Sequence, residues 1–197
     1  MRKGLTLASA ALVLAVVALV DTPSRSAPVA GDVTVDPVHS SVLFRIQHNG
    51  AAMFYGRFNR VAGSISVVEG GTGALDLTVD VDSVDTANEG RDKHLKSPDF
   101  FNAEQFPEIT FQSEALRHLG GSKYEAKGTF SMHGVEKEIT VAIEHTGTGK
   151  NRQGAPVMGF ETAFTVKRSD YGMNFMQGPI GDEVRIIVSI EGALAAK

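Results

Sequence analysis

The side chains best able to do acid–base chemistry or hold a metal near neutral pH are six histidines: His39, His48, His94, His118, His133 and His145. No H-x-H or H-E-x-x-H spacing occurs among them. A zinc gathered from histidines on separate strands is the one metal route left open, and the expectation is no metal and no cofactor. The chain has no cysteine, which removes thiol nucleophiles, disulfides and a lipid-modified N-terminal cysteine. It also has no G-x-S-x-G nucleophile elbow and no glycine-rich phosphate loop of known spacing. Asp76, Asp80 and Asp82 alternate with apolar residues and read as the wet face of a strand rather than a cation site. Arg91, Asp92 and His94 fall together on a short predicted helix. They have two readings: recognition of an anionic head group, or a solvated helix face with a structural Arg–carboxylate pair. No catalytic residue set emerges, so the chain is read as a non-enzyme.

The informative allocation is apolar: eleven phenylalanines in a chain without tryptophan. By the two-residue period of a strand, Phe44, Phe58, Phe111, Phe130, Phe160 and Phe164 point inward, joined by Ile46 and Met158. They either fill an interior or line a tunnel. The stretch from Ser83 to Phe111 interrupts the strands. Thr86 and Glu89 have capping-box spacing, which predicts a helix from Ala87 to Lys96 that ends before Pro98. Phe100, Phe101 and Phe106 follow, and either wall a cavity or plug one end of a barrel; Phe101 and Phe106 are expected to narrow it. The run from Arg168 to Glu183 shows no strand pattern and carries Met173, Phe175, Met176 and Ile180 among glycines. It is either a lid, with Met173 and Phe175 over an apolar mouth, or a small satellite core.

These residues need strands to position them. Strands are predicted at Val33–Asp36, Ser40–Gln47, Arg57–Val68, Ala74–Ser83, from Ile109 onward, Lys123–Met132, Glu136–Glu144, Val157–Lys167 and Val184–Leu194. Thr146 to Ala155 reads as a polar loop, and Gly63 as a bulge or bend. His133-Gly134 reads as a hairpin turn. The 21 glycines suit many turns, and neither repeats nor an internal linker are visible. The expected fold is all-β, an antiparallel barrel of about eight strands with one short helix inserted. Closure removes exposed edges, and such a barrel holds packed side chains or one small ligand, as lipocalins do. A β-sandwich is the alternative.

Arg2 and Lys3, the apolar run from Leu5 to Val20 and the small residues after it form a signal-peptide pattern. Residues 1–26 are assigned to the signal and 27–197 to one domain, with an uncleaved anchor as the alternative. No transmembrane span is expected in the mature chain. Loss of Arg2, Lys3, Arg25 and Asp21 takes the formal net charge from −4 to about −6. An acidic body argues against nucleic acid as partner.

The chain resembles the YceI-like family of exported lipid-binding proteins. The resemblance is carried by VDPVHSSVLFRIQHNG (35–50), the G-x-F at Gly56 to Phe58 and VDSVDTANEGRDKHLKSPDFFNAEQFPEITF (81–111). It continues through GTFSMHGVEKEITV (128–141) and KRSDYGMNFMQGPIGDEVRIIVSIEGAL (167–194). It implies an extended lipocalin-like barrel and a long apolar tunnel for a polyisoprenoid or similar amphiphile, with isoprenoid quinones or fatty-acid derivatives as other ligands. It also implies a periplasmic or secreted location, and dimers occur in the family. GTFSMHGV departs from the family pattern at Met132 and His133, where a change in ligand preference is expected. N-terminal sequencing of the exported protein is expected to begin at Ala27; an intact Met1 overturns cleavage after Ser26.

Overall fold

A computed structural model describes residues 30–68 and 71–195. The predicted signal peptide lies outside the described residues. Eleven strands carry the fold: β1 (Gly31–Val35), β2 (Ser41–His48), β3 (Ala52–Phe58), β4 (Val61–Val67), β5 (Thr72–Asp80), β6 (Val84–Asp85), β7 (Glu108–Gly120), β8 (Lys123–Met132), β9 (Val135–Lys150), β10 (Pro156–Lys167) and β11 (Ile180–Leu194). Three neighbouring pairs, β1 with β2, β3 with β4 and β5 with β6, lie end to end as broken staves. The eleven strands therefore make a closed, antiparallel, eight-stave barrel in simple up-and-down order. β11 closes it, pairing with β10 on one side and with β2 then β1 on the other. That closure rules out the sandwich alternative.

The breaks correct several predicted boundaries. Arg57–Val68 is two strands, because the chain turns at Asn59-Arg60. Arg60 Nη2 lies 2.8 Å from Asp80 Oδ2, and its backbone N–H donates to Ser83 Oγ at 3.0 Å. β3 is hard to see in the sequence because its outward residues Met53 and Tyr55 are apolar, about half exposed, and blur the alternation. β5 stops at Asp80, and Val81–Ser83 forms a 3-10 turn rather than the end of a strand. The polar run after Thr146 is not a loop: β9 reaches Lys150 and the connection is confined to residues 151–155. Gly63 holds φ +144°, and a Cβ there would strike the Asp76 carbonyl of β5.

The helix α1 (Glu89–Leu95) is shorter than predicted, and Asn88 caps it, accepting the Arg91 N–H at 2.9 Å. Ala87 has φ +59° and so cannot start a helix. Thr86 turns inward instead of capping. The backbone N–H and hydroxyl of Thr86 donate to Asp92, while its hydroxyl and carbonyl accept from Arg91.

One end of the barrel, the upper end here, carries α1 and the β2–β3, β8–β9 and β10–β11 connections. The opposite end is packed solid: Val33, Tyr124 and Met158 are each 1% exposed. At the upper end β5 leaves β7 after Asp80↔Glu108 and continues as β6 against β3. Residues 86–107 fill the opening so made.

Candidate functional site: an apolar cavity under the upper end

Inward residues of every stave converge above the packed floor, yet they do not fill the space. A cavity of about 370 Å³ remains. The interior is therefore not packed shut by its own side chains. Phe44, Ile46, Phe58, Phe111, Phe130, Phe160 and Phe164 border it from the strands, on the face that parity predicts, and Phe101 and Met173 border it from the connections at the upper end. Phe44 and Phe58 meet at 5.6 Å between ring centres, and Phe101 meets Phe58 edge-on at 5.5 Å. Opposite Phe44 on β3 stands Gly56. A Cβ at Gly56 would strike the Phe44 ring, so the ring lies directly on the β3 main chain.

Three predicted residues are placed elsewhere. Met158 belongs to the floor below the cavity, since it sits too near the start of β10. Phe106 covers the β8–β9 turn, 4.8 Å from the His133 ring and over Gly134. Phe175 packs from outside on Phe100 and His94 and is 39% exposed, so it stands on the rim rather than in the wall. Phe100 and Met176, by contrast, do border the cavity. Met132 also lines it, while His133 sits in the turn at φ +53° with Nδ1 2.9 Å from the Tyr171 carbonyl oxygen.

Polar groups gather at the rim: His48, Arg91 and His94 border the cavity there. Arg91 is held by Thr86 and lies 4.5 Å over the Phe54 ring. His94 Nε2 is 2.9 Å from Asp99 Oδ2. The predicted Arg–carboxylate pair is thus replaced by a bridge, in which the Thr86 hydroxyl joins Arg91 to Asp92. Lower down, burial beside Phe160 pushes the His145 pKa below its ordinary value. Among the described residues one group of possible metal ligands comes together, Asp36, His39 and Glu191, with ligand atoms within 4.8 Å. It lies at the β1–β2 corner, away from the cavity residues, and contains one histidine. A side-chain hydrogen bond between Asp36 and His39 lowers the carboxyl pKa and raises that of the imidazole, as a surface ion pair does.

The YceI-like domain model matches residues 33–192. The chain belongs to the YceI-like family. A UPF0312 protein of Pseudomonas aeruginosa is 36% identical over 156 residues, covering 78% of this chain and 81% of the relative. The crystal structure of Burkholderia cenocepacia BcnA superposes with a TM-score of 0.72 at 22% identity, over 80% of this chain and 99% of that one. A polyisoprenoid binding domain from Saccharophagus degradans superposes with a TM-score of 0.64 at 15% identity, over 84% and 99%. At those identities the two structures speak for the fold.

In this YceI-like chain the rim loop is held by a residue that the sequence reading passed over. Arg168 is 3% exposed and borders the cavity. Its guanidinium donates to the carbonyls of Met173, Phe175, Gly181 and Ile180, at 2.8 to 3.2 Å. Burial pushes its pKa down and the nearby Asp182 carboxylate partly restores it. Five fixed donors suit an arginine to this task. The run from Arg168 to Glu183 is thus neither a free lid nor a separate core. It is a strap wound round one cation, and the only signal in the sequence was a charge at the end of an apolar strand. Arg168→Ala leaves those carbonyls unpaired and is expected to cost about 3 kcal/mol or more in urea unfolding. Asp182 accepts both the N–H and the hydroxyl of Ser169, at 2.9 and 2.8 Å, and the backbone bond chiefly lowers its pKa. The folded carboxyl therefore titrates below the unfolded value of about 3.9. Its contribution is full above that value and is lost as pH falls through the depressed pKa. Hydrogen exchange at the Ser169 amide is expected to lose protection in that acid window and to show no such change near neutrality.

Proposed function

We propose that this protein binds a polyisoprenoid or similar long-chain amphiphile, such as an isoprenoid quinone, in the barrel cavity. The cargo would be carried, stored or sequestered outside the cytoplasm. The observation that carries this reading is the division of the cavity into an apolar interior and a polar rim. Such a site suits a ligand with an apolar tail and a polar head. Burial of the tail supplies roughly 25 cal/mol per Å² of apolar surface, less the cost of association. Arg91 and His94 are placed to meet the head, and Arg91, held at Nε and Nη2 by Thr86, directs its charge at the rim.

The structural likeness to a polyisoprenoid binding domain supports the ligand class. The signal pattern of residues 1–26 supports export to the periplasm or beyond. No helix among the described residues is long and apolar enough to cross a membrane. The reading assigns no catalytic role to any residue and involves no nucleic acid; a homodimer is compatible with it. A purely structural role, with the barrel filled by its own side chains, is disfavoured by the space left open.

Phe130 and Phe160 border the cavity from β8 and β10. Phe160→Asp and Phe130→Asp are expected to abolish lipid retention, read by mass spectrometry of an organic extract of protein purified from its native compartment. A folded variant that keeps its lipid at the wild-type ratio counts against this site.

A further inference from the structure

The upper end differs from the rest of the surface in what it exposes. Its tips are the β2–β3 turn and the strap, joined where the Asn49 N–H donates to the Pro179 carbonyl at 2.6 Å. Both tips hold large apolar side chains in water: Met53 at the start of β3, and Phe175 and Met176 on the strap. Phe175 packs on Phe100, which borders the cavity, and Met176 is 43% exposed yet borders the cavity itself. The exposed apolar surface is thus continuous with the cavity lining. Val68 and Leu119 are also exposed, at the opposite end, but there the packed floor separates them from the cavity.

The charge around these tips is one-sided. The chain has 23 acidic residues, yet none falls between Pro37 and Val68 or between Tyr171 and Gly181. Below the tips, Arg45 on β2 is paired with Arg185 on β11 and with Tyr55 on β3. Their strand neighbours Phe44, Ile46, Val184 and Ile186 border the cavity, so this row lies on the outer surface. Like charges directly opposite in a ladder repel, and neither arginine has an ion pair among the described residues. Asp182 and Glu183 border the same outer hollow, and Ser169 takes up Asp182. Two arginines therefore stand against one remaining carboxylate. The helix α1 beside the strap is mixed, with Glu89 and Lys93 both exposed, so the acid-free sector is that of β2, β3 and the strap tip.

At 3.3 Å per residue, Arg45 lies roughly 10 Å down the strand from His48 at the turn. Apolar tips with a tyrosine and arginines at that depth match the layers of a bilayer surface. The acyl boundary takes the apolar side chains, and the head-group level takes the aromatic ring and the cations. The arginine fork also fits a phosphate.

We propose that the upper end docks on a phospholipid bilayer. Phe175, Met176 and Met53 enter the acyl boundary, and Arg45 and Arg185 meet lipid phosphates. The inference deepens the lipid-binding reading by naming where cargo enters and leaves, and it rests on that reading for the exchange.

The chain has no tryptophan, so a single introduced indole reports one place. Phe175→Trp reports the tip, and Leu119→Trp, exposed at the opposite end, reports general adsorption. Each variant is mixed with vesicles of phosphatidylethanolamine and phosphatidylglycerol, with and without bromine on the acyl chains. Emission from position 175 is expected to move to shorter wavelength and to fall severalfold with brominated chains, and position 119 to do neither. Arg45→Gln combined with Arg185→Gln is expected to lower co-flotation with these vesicles severalfold, as is added salt. No change at 175, equal quenching at both positions, or flotation indifferent to loss of the arginines overturns the docking; an organic extract that still holds lipid then leaves the lipid-binding reading standing. If the wild-type protein retains no lipid, that reading fails and the exchange fails with it, whatever position 175 reports. A shift at 175 that grows with protein concentration in the absence of vesicles means that a second copy covers the tip, which also overturns the docking. Should Phe175→Trp fail to fold, Met176→Trp serves and is held to the same outcomes.

Discussion

The constraint on which the structure depends is the double pairing of β11. One continuous strand bonds to β10 along one edge, and along the other to β2 and then to β1. Because β1 and β2 are separate pieces, only the length of β11 keeps them on one stave. Ser40 reinforces the junction: its hydroxyl donates to the Glu191 carbonyl and accepts the Glu191 N–H, each at 3.1 Å. The inward residues of β11, Val184, Ile186, Val188 and Ile190, line the cavity. The strand that closes the barrel is therefore also part of its binding wall.

Above that closed frame the barrel relaxes on purpose-built pieces. On one side residues 86–107 fill the space where β5 turns away from β7. Their anchor is Thr86, buried and joined to both Arg91 and Asp92. On the other side the strap from Arg168 spans from β10 to β11, with one guanidinium satisfying four carbonyls. Both pieces use a charged side chain to settle backbone groups that a regular ladder would otherwise pair. Both charges border or approach an apolar cavity, where unpaired polar groups are costly.

The alternation of Leu75, Leu77 and Val79 or of Tyr124, Ala126 and Phe130 was plain in the sequence, since a half-buried strand must show it. So was the division of most phenylalanines from the solvent face, because parity alone sets direction. Depth was not legible: parity places Met158 and Phe160 on one face but cannot tell floor from cavity two residues apart. Breaks within staves were hidden as well. Asn59-Arg60 looks like a polar step in a strand until Asp80 and Ser83, distant in sequence, are beside it. The helix start was misread because Thr86 and Asn88 are both good caps, and only the tertiary demand of Asp92 and Arg91 on Thr86 decides between them. The partners of Arg168 were not legible, because they are backbone carbonyls, which every residue has.

The contact between Phe44 and Gly56 shapes one stretch of the barrel wall. The two are partners on adjacent strands, and with no side chain at Gly56 the ring lies down on the β3 main chain instead of leaning on another rotamer. A backing held in a ladder has no rotamer to change, so the ring has a fixed seat there. Any side chain at position 56 would meet the ring and push it off that seat, which makes a residue without a side chain part of what shapes the lipid cavity.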